Sequence, residues 1–194
     1  MRMTTEEPRI LLFKGKKDIL SKAIMYFTDS VFTHTALYVR GITFESTVWQ
    51  NPTTWLFGRE WKSRWWMFWT WRSGVKTTQG ILEADEIYRF RVPPAPSQNI
   101  LMVTYALDLV NERRMYNFLL TFFDMIIYPT RWFWQKVGWI PFSKRYLGAN
   151  CSSLVDEIVT AGGIDLWPKR ESATTVPGDY PLNSNLVLEE KVLA

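Results

Sequence analysis

Three residues in this chain could perform acyl chemistry together: the single cysteine, the single histidine and a glutamate close to the histidine in sequence. Cys151 stands in GANCSSLVDEIVTAGG, where Asn150 is a good helix N-cap and Leu154, Val155, Ile158, Val159 and Ala161 form the apolar face of the helix that follows. A cysteine in a first helical turn meets unpaired backbone N–H groups and the positive end of the helix dipole. Both stabilise a thiolate and lower a thiol pKa from ~8.5 by one to several units. The same N–H groups can hold a developing oxyanion. The competing account of a lone cysteine is a small buried hydrophobe with no role beyond packing.

His34 lies in FTHTALYVRGITFES. Alternation from Thr33 to Val39, a turn signal at Arg40-Gly41 and a second extended run from Ile42 to Val48 predict a hairpin. With a two-residue turn, facing residues have numbers that sum to 81, so Glu45 stands opposite Ala36 and shares a face with His34. Two long side chains can close the resulting diagonal of roughly 7–8 Å between backbones. A carboxylate there would fix the imidazole tautomer and favour its cation, the orienting role in a nucleophile, base and third-group arrangement. A turn one residue longer or shorter would send Glu45 to the opposite face. The competing account is a half-exposed hairpin histidine and a solvated glutamate.

The elements that must position these residues are legible in outline. Ile10 to Phe13 reads as a short buried strand, and Asp18 to Phe27 as a helix with Ile19, Leu20, Ala23, Ile24 and Phe27 on one face. Ile87 to Val92 is a further strand closed by Pro93-Pro94, and Gln98 to Arg113 a helix with Leu101, Met102, Tyr105, Ala106 and Leu109 inward. The cysteine helix ends at Gly162-Gly163. Strands and helices mix without regular alternation, which predicts an α+β class, and 194 residues suit one domain spanning 1–194.

Composition narrows the chemistry. One cysteine forbids an internal disulfide, and one histidine plus one cysteine cannot furnish a soft-ligand zinc site, so neither metal nor cofactor is expected. The net charge of +4 leans mildly toward anionic partners without choosing among phospholipid, wall polymer and nucleic acid. The opening MRMTTEEPRI lacks the basic, apolar and small-residue order of a signal peptide, so a chain made in the cytoplasm and not exported by that route is expected. The apolar stretch from Met115 to Tyr128 is broken by Asn117 and Asp124 and falls short of the ~20 residues that span a bilayer.

The string LLFKGKKDILSKAIMYFTDSVFTHTALYVRGITFES resembles the opening of circularly permuted NlpC-type enzymes of the papain-like superfamily. There a strand and a helix precede a histidine-bearing strand and a glutamate-bearing strand. NCSSLVDEIVTAGGI and TTVPGDYPLNS are similar to their C-terminal part, in which a cysteine opens a helix and a Pro-Gly-Asp loop follows. Tyr116-Asn117-Phe118 resembles the aromatic segment between the two halves. The likeness covers roughly the first and last 50 residues. It departs at Pro8-Arg9, where Gly-Asp is frequent, and at Thr35, where an aliphatic residue is commoner. The resemblance implies a small antiparallel sheet packed against helices that include the cysteine helix. It also implies Cys151 as nucleophile, His34 as base and Glu45 as third polar residue. Such families include cell-wall peptidases and amidases and, more distantly, the lecithin retinol acyltransferase group.

Two aromatic segments stand apart from this pattern. WQNPTTWLFGREWKSRWWMFWTWR, in a Trp-rich insertion at about 49–72, holds seven tryptophans among Arg59, Lys62, Arg64 and Arg72, and the aromatic segment at about 116–142 repeats the mixture. Trp61, Trp65, Trp69, Trp132 and Trp134 suit a membrane interface, and equally an aromatic core or a protein interface. Sugar or nucleic acid is the lesser expectation. Three functions follow: a cysteine peptidase or amidase acting on cell-wall peptides, phage-encoded or virion-associated; a lipid-directed thioesterase or acyltransferase at a membrane; and a silent virion component of the same fold.

Overall fold

The computed structural model describes residues 7–15, 22, 25–26, 29–47, 74–112, 150–168 and 175–191. Six strands form one antiparallel sheet: β1 (Arg9–Lys14), β2 (Phe32–Val39), β3 (Ile42–Thr47), β4 (Gly74–Gln79), β5 (Glu86–Phe90) and β6 (Leu186–Lys191), in the order β4-β3-β2-β1-β5-β6. Among the described residues, helices α1 (Pro96–Asn111) and α2 (Cys151–Ala161) and a 3₁₀ helix (Pro177–Leu182) accompany the sheet, a mixed α and β architecture in line with the α+β expectation at that level. The helix expected over Asp18–Phe27 and both aromatic segments lie largely or wholly outside the described residues, with Trp61, Trp65, Trp69, Trp132 and Trp134 among them.

The hairpin has the expected register. Arg40 and Gly41 both adopt positive φ, +49° and +81°, the geometry of the mirror-image turns whose twist matches that of paired strands. Val39 therefore faces Ile42, Leu37 faces Phe44 and Ala36 faces Glu45. On β1, Ile10 and Leu12 alternate with Leu11, and all three are fully buried, so this strand is covered on both faces. One face meets a core that includes Leu37, Val39, Phe44, Met102, Leu154, Val155 and Ile158, and the other a smaller cluster of Leu11, Ala36, Ala84 and Ile87.

The start of α1 and the burial of α2 differ from expectation. Helix α1 begins at Pro96, not Gln98: proline is accepted in a first turn because its missing N–H would be unpaired there anyway. Gln98 instead closes the cap by accepting from the Ala95 N–H at 2.9 Å. Helix α2 was expected to bury one face through Leu154, Val155, Ile158, Val159 and Ala161. The first four are buried and Ala161 half-buried, but every residue from Cys151 to Val159 is buried, polar ones included. The reason lies in neighbours far away in sequence. Tyr105 of α1 reaches Glu157, the 3₁₀ helix covers Ser152, and β2 and β3 lie beneath.

Candidate active site

Cys151 is the first residue of α2, and its placement begins with a cap. The Asn150 side chain accepts from the Ser153 N–H at 2.7 Å, and Ser153 Oγ accepts from the Asn150 N–H at 3.0 Å. Two donors of a helix start are satisfied reciprocally, as in a capping box. The Tyr180 hydroxyl, fully buried, donates to the Ser152 carbonyl at 2.9 Å and ties the same turn to the 3₁₀ helix. Burial, with the charges of Asp156, Cys151 and Asp179 adding to it, pushes Tyr180 well above the usual phenol range, so it stays a donor. Asp179 accepts from the Val176 N–H at 3.0 Å and shapes the turn that carries Tyr180. Gly178 packs so closely on Ser30 that a Cβ there would sit 2.6 Å from the serine side chain, which no larger residue could match without displacement.

His34 is gripped from both neighbouring strands. On β3, Glu45 Oε2 lies 2.8 Å from His34 Nε2, so the N–H donates to the carboxylate. On β1, Phe13 stands directly opposite, with ring centroids 5.3 Å apart at a 41° tilt. A quarter of the His34 side chain remains exposed, against 9% for Glu45. With Nε2 committed to Glu45, Nδ1 is the nitrogen left to serve Cys151, which lies near enough to His34 and to the Thr35 backbone N–H for both to favour its thiolate, and whose thiol stands 3.9 Å from the Ser152 hydroxyl. Cys151, His34 and Glu45 are thus brought together.

The electrostatics favour an ion pair. Burial disfavours the His34 cation, but hydrogen bonds to Cys151 and Glu45 and their negative charges outweigh it, raising the imidazole from its ordinary 6.5 to about 9. Burial disfavours the Cys151 thiolate too, and here the hydrogen bond and charge of His34, followed by Thr35 and Ser152, bring the thiol below its ordinary range. Glu45 is likewise held below the usual carboxylate range: desolvation is overcome by His34 first and then by Lys76, whose ammonium lies 3.0 Å from Oε1. A thiolate beside an imidazolium that is oriented by a carboxylate is an arrangement able to attack a carbonyl and to return a proton to the leaving group.

Sequence reasoning missed Phe13, Lys76 and Tyr180. Phe13 and Lys76 sit on strands joined to the hairpin by long connections, so no turn length reveals their register. Tyr180 belongs to the Pro-Gly-Asp motif, but nothing in that motif says which carbonyl its hydroxyl meets. Among the described residues, no group of three or more His, Cys, Asp or Glu side chains gathers as metal ligands, and no helix is long and apolar enough to cross a membrane. No protein-family model matches the chain, and no curated protein matches it in sequence.

Proposed function

We propose that this chain is a cysteine hydrolase that works through a thioester acyl-enzyme, with peptide or amide bonds of the cell wall as its substrates. The observation that carries the reading is the junction of three elements at one point: the start of α2, the histidine strand β2 and the glutamate strand β3. The refinement of the fold to a permuted papain-like, NlpC-type domain belongs to the same proposal. It is supported by a buried, cysteine-opened helix packed on an antiparallel sheet whose histidine and glutamate strands come earlier in the chain.

In the proposed reaction the Cys151 thiolate attacks the scissile carbonyl carbon and a C–S bond forms. Backbone N–H groups at the start of α2 take up the negative charge that develops on the carbonyl oxygen. The imidazolium of His34 gives its proton to the departing amine as the C–N bond breaks, leaving a thioester and a neutral imidazole. That imidazole then takes a proton from water, hydroxide adds to the thioester, and Cys151 leaves as thiolate with the imidazolium restored. Glu45 holds the ring in one tautomer throughout.

Mass spectrometry of muropeptides and of lipid extracts, each incubated with wild type and with Cys151→Ala, tests the substrate class. Peptide fragments released by wild type alone are expected. Acyl chains moved or released from lipid alone would shift the assignment to a thioesterase or acyltransferase. Silence in both mixtures would point to a virion component without turnover.

A further inference from the structure

Glu45 has a second partner that the proposed reaction does not use. Lys76 is directly opposite Glu45 in the β3–β4 ladder, and its ammonium lies 3.0 Å from Oε1 while Oε2 meets His34 Nε2 at 2.8 Å. We propose that Lys76 is a positioning residue, which grips one carboxylate oxygen of Glu45 so that the other stays aimed at His34; this rests on the catalytic reading above.

The physical case has two parts. A carboxylate turns about a broad, soft terminal torsion, so a single hydrogen bond leaves its second oxygen free to swing. Bonds from strands on either side remove that freedom, and with Glu45 only 9% exposed little water competes for either oxygen. The second part is charge. The groups that face Glu45 are His34 from β2 and Lys76 from β4, and His34 in turn faces Cys151 from α2. Thiolate, imidazolium, carboxylate and ammonium therefore form a row of alternating sign across four elements. Removing the terminal cation leaves the row with net negative charge, and every remaining group then holds its proton more tightly. A lysine that merely pins the edge strand β4 would do neither of these things.

The test reads the alkylation rate of Cys151 by iodoacetamide against pH, with thermal melts alongside, for wild type, Lys76→Met, Lys76→Gln and Lys76→Arg. Lys76→Met is expected to lower the maximal rate severalfold and to move the rise of the profile to higher pH, by on the order of half a unit, less than a charge in direct contact would cause. Lys76→Gln should show the same displacement of the rise, and Lys76→Arg should restore rate and profile together. Uncharged variants that superimpose on wild type, whether or not their melting temperature falls, would overturn the positioning role while leaving the Cys151, His34 and Glu45 assignment standing. A wild-type Cys151 that already titrates as an ordinary thiol would overturn both. Should Lys76→Met fail to fold, Lys76→Gln carries the same comparison.

Discussion

At the scale of single residues the site is a competition between burial and pairing. Cys151 is only 6% exposed, which favours a neutral thiol, yet the His34 cation and the Thr35 N–H tip the balance toward thiolate. The sign of the pH dependence follows. Thiolate is lost as pH falls through the lowered Cys151 pKa, and imidazolium as pH rises through about 9. Alkylation of Cys151 by iodoacetamide is therefore expected to rise at lower pH than the ~8.5 of an ordinary thiol, and turnover to decline again on the alkaline side. Stopped-flow or quench measurement across pH checks both; a rate that rises only around 8.5 or above contradicts the ion pair. Glu45→Gln should keep the fold and lower turnover by roughly ten- to a thousandfold, less than Cys151→Ala, because an orienting group forms no bond to substrate. Kinetics on whichever substrate the muropeptide and lipid mixtures reveal, with circular dichroism to verify folding, settles that expectation.

At the scale of elements, the helix turn that carries Cys151 is held through two independent ties. One is local, the Asn150–Ser153 cap, and was readable from the sequence because caps act within a few residues. The other is the Tyr180 bond to Ser152, across 28 residues of sequence. Asn150→Ala is expected to destabilise the fold by about 1 kcal/mol, the usual cost of a lost polar N-cap. Tyr180→Phe should cost about 0.5–1.5 kcal/mol, a neutral hydrogen bond lost while the Ser152 carbonyl keeps its place in the helix. Urea denaturation measures both. Alkylation of Cys151 should slow in each variant as its helix turn loosens. Destabilisation without any change at Cys151 would mean that the turn is held rigid by the sheet beneath it.

The whole molecule places its chemistry at the meeting of distant segments. β1 is buried between β2 and β5, and β6, near the end of the chain, borders β5. His34 and Glu45 are 11 residues apart and meet through a tight turn, whereas Cys151 comes more than a hundred residues later and arrives only once α2 has packed on β2 and β3. The aromatic segments belong to this scale as well, and for them the sequence supplies the prediction. Trp61, Trp65 and Trp69 recur every fourth residue, a spacing that would share one helix face, with Lys62 and Arg64 directed elsewhere. If that face enters lipid, replacing Trp65 and Trp69 by serine should abolish binding to anionic vesicles while Cys151 keeps its reactivity. If it is core, the double variant should aggregate, since each large buried aromatic removed costs roughly 3–5 kcal/mol. Vesicle co-sedimentation beside thermal melts separates the two.

What the sequence by itself determined is what short-range physics controls. The turn Arg40-Gly41 set the hairpin register and with it the Glu45–His34 approach, because side chains alternate strictly along a strand and a two-residue turn leaves no slack. Asn150 marked the helix start, and periodicity marked Leu154, Val155, Ile158 and Val159 as its buried side. The edge strands β4 and β6 escaped notice because, among the described residues, each pairs on one side only and carries polar residues such as Lys76, Glu189 and Glu190, so neither shows a clean hydrophobic pattern. Only the tertiary structure decided that α2 is buried all round, that Phe13 and Lys76 flank the histidine–glutamate pair, and that Tyr180 locks the cysteine turn. Each of these depends on a contact between segments whose separation along the chain sets no register, so nothing in the local sequence could specify it.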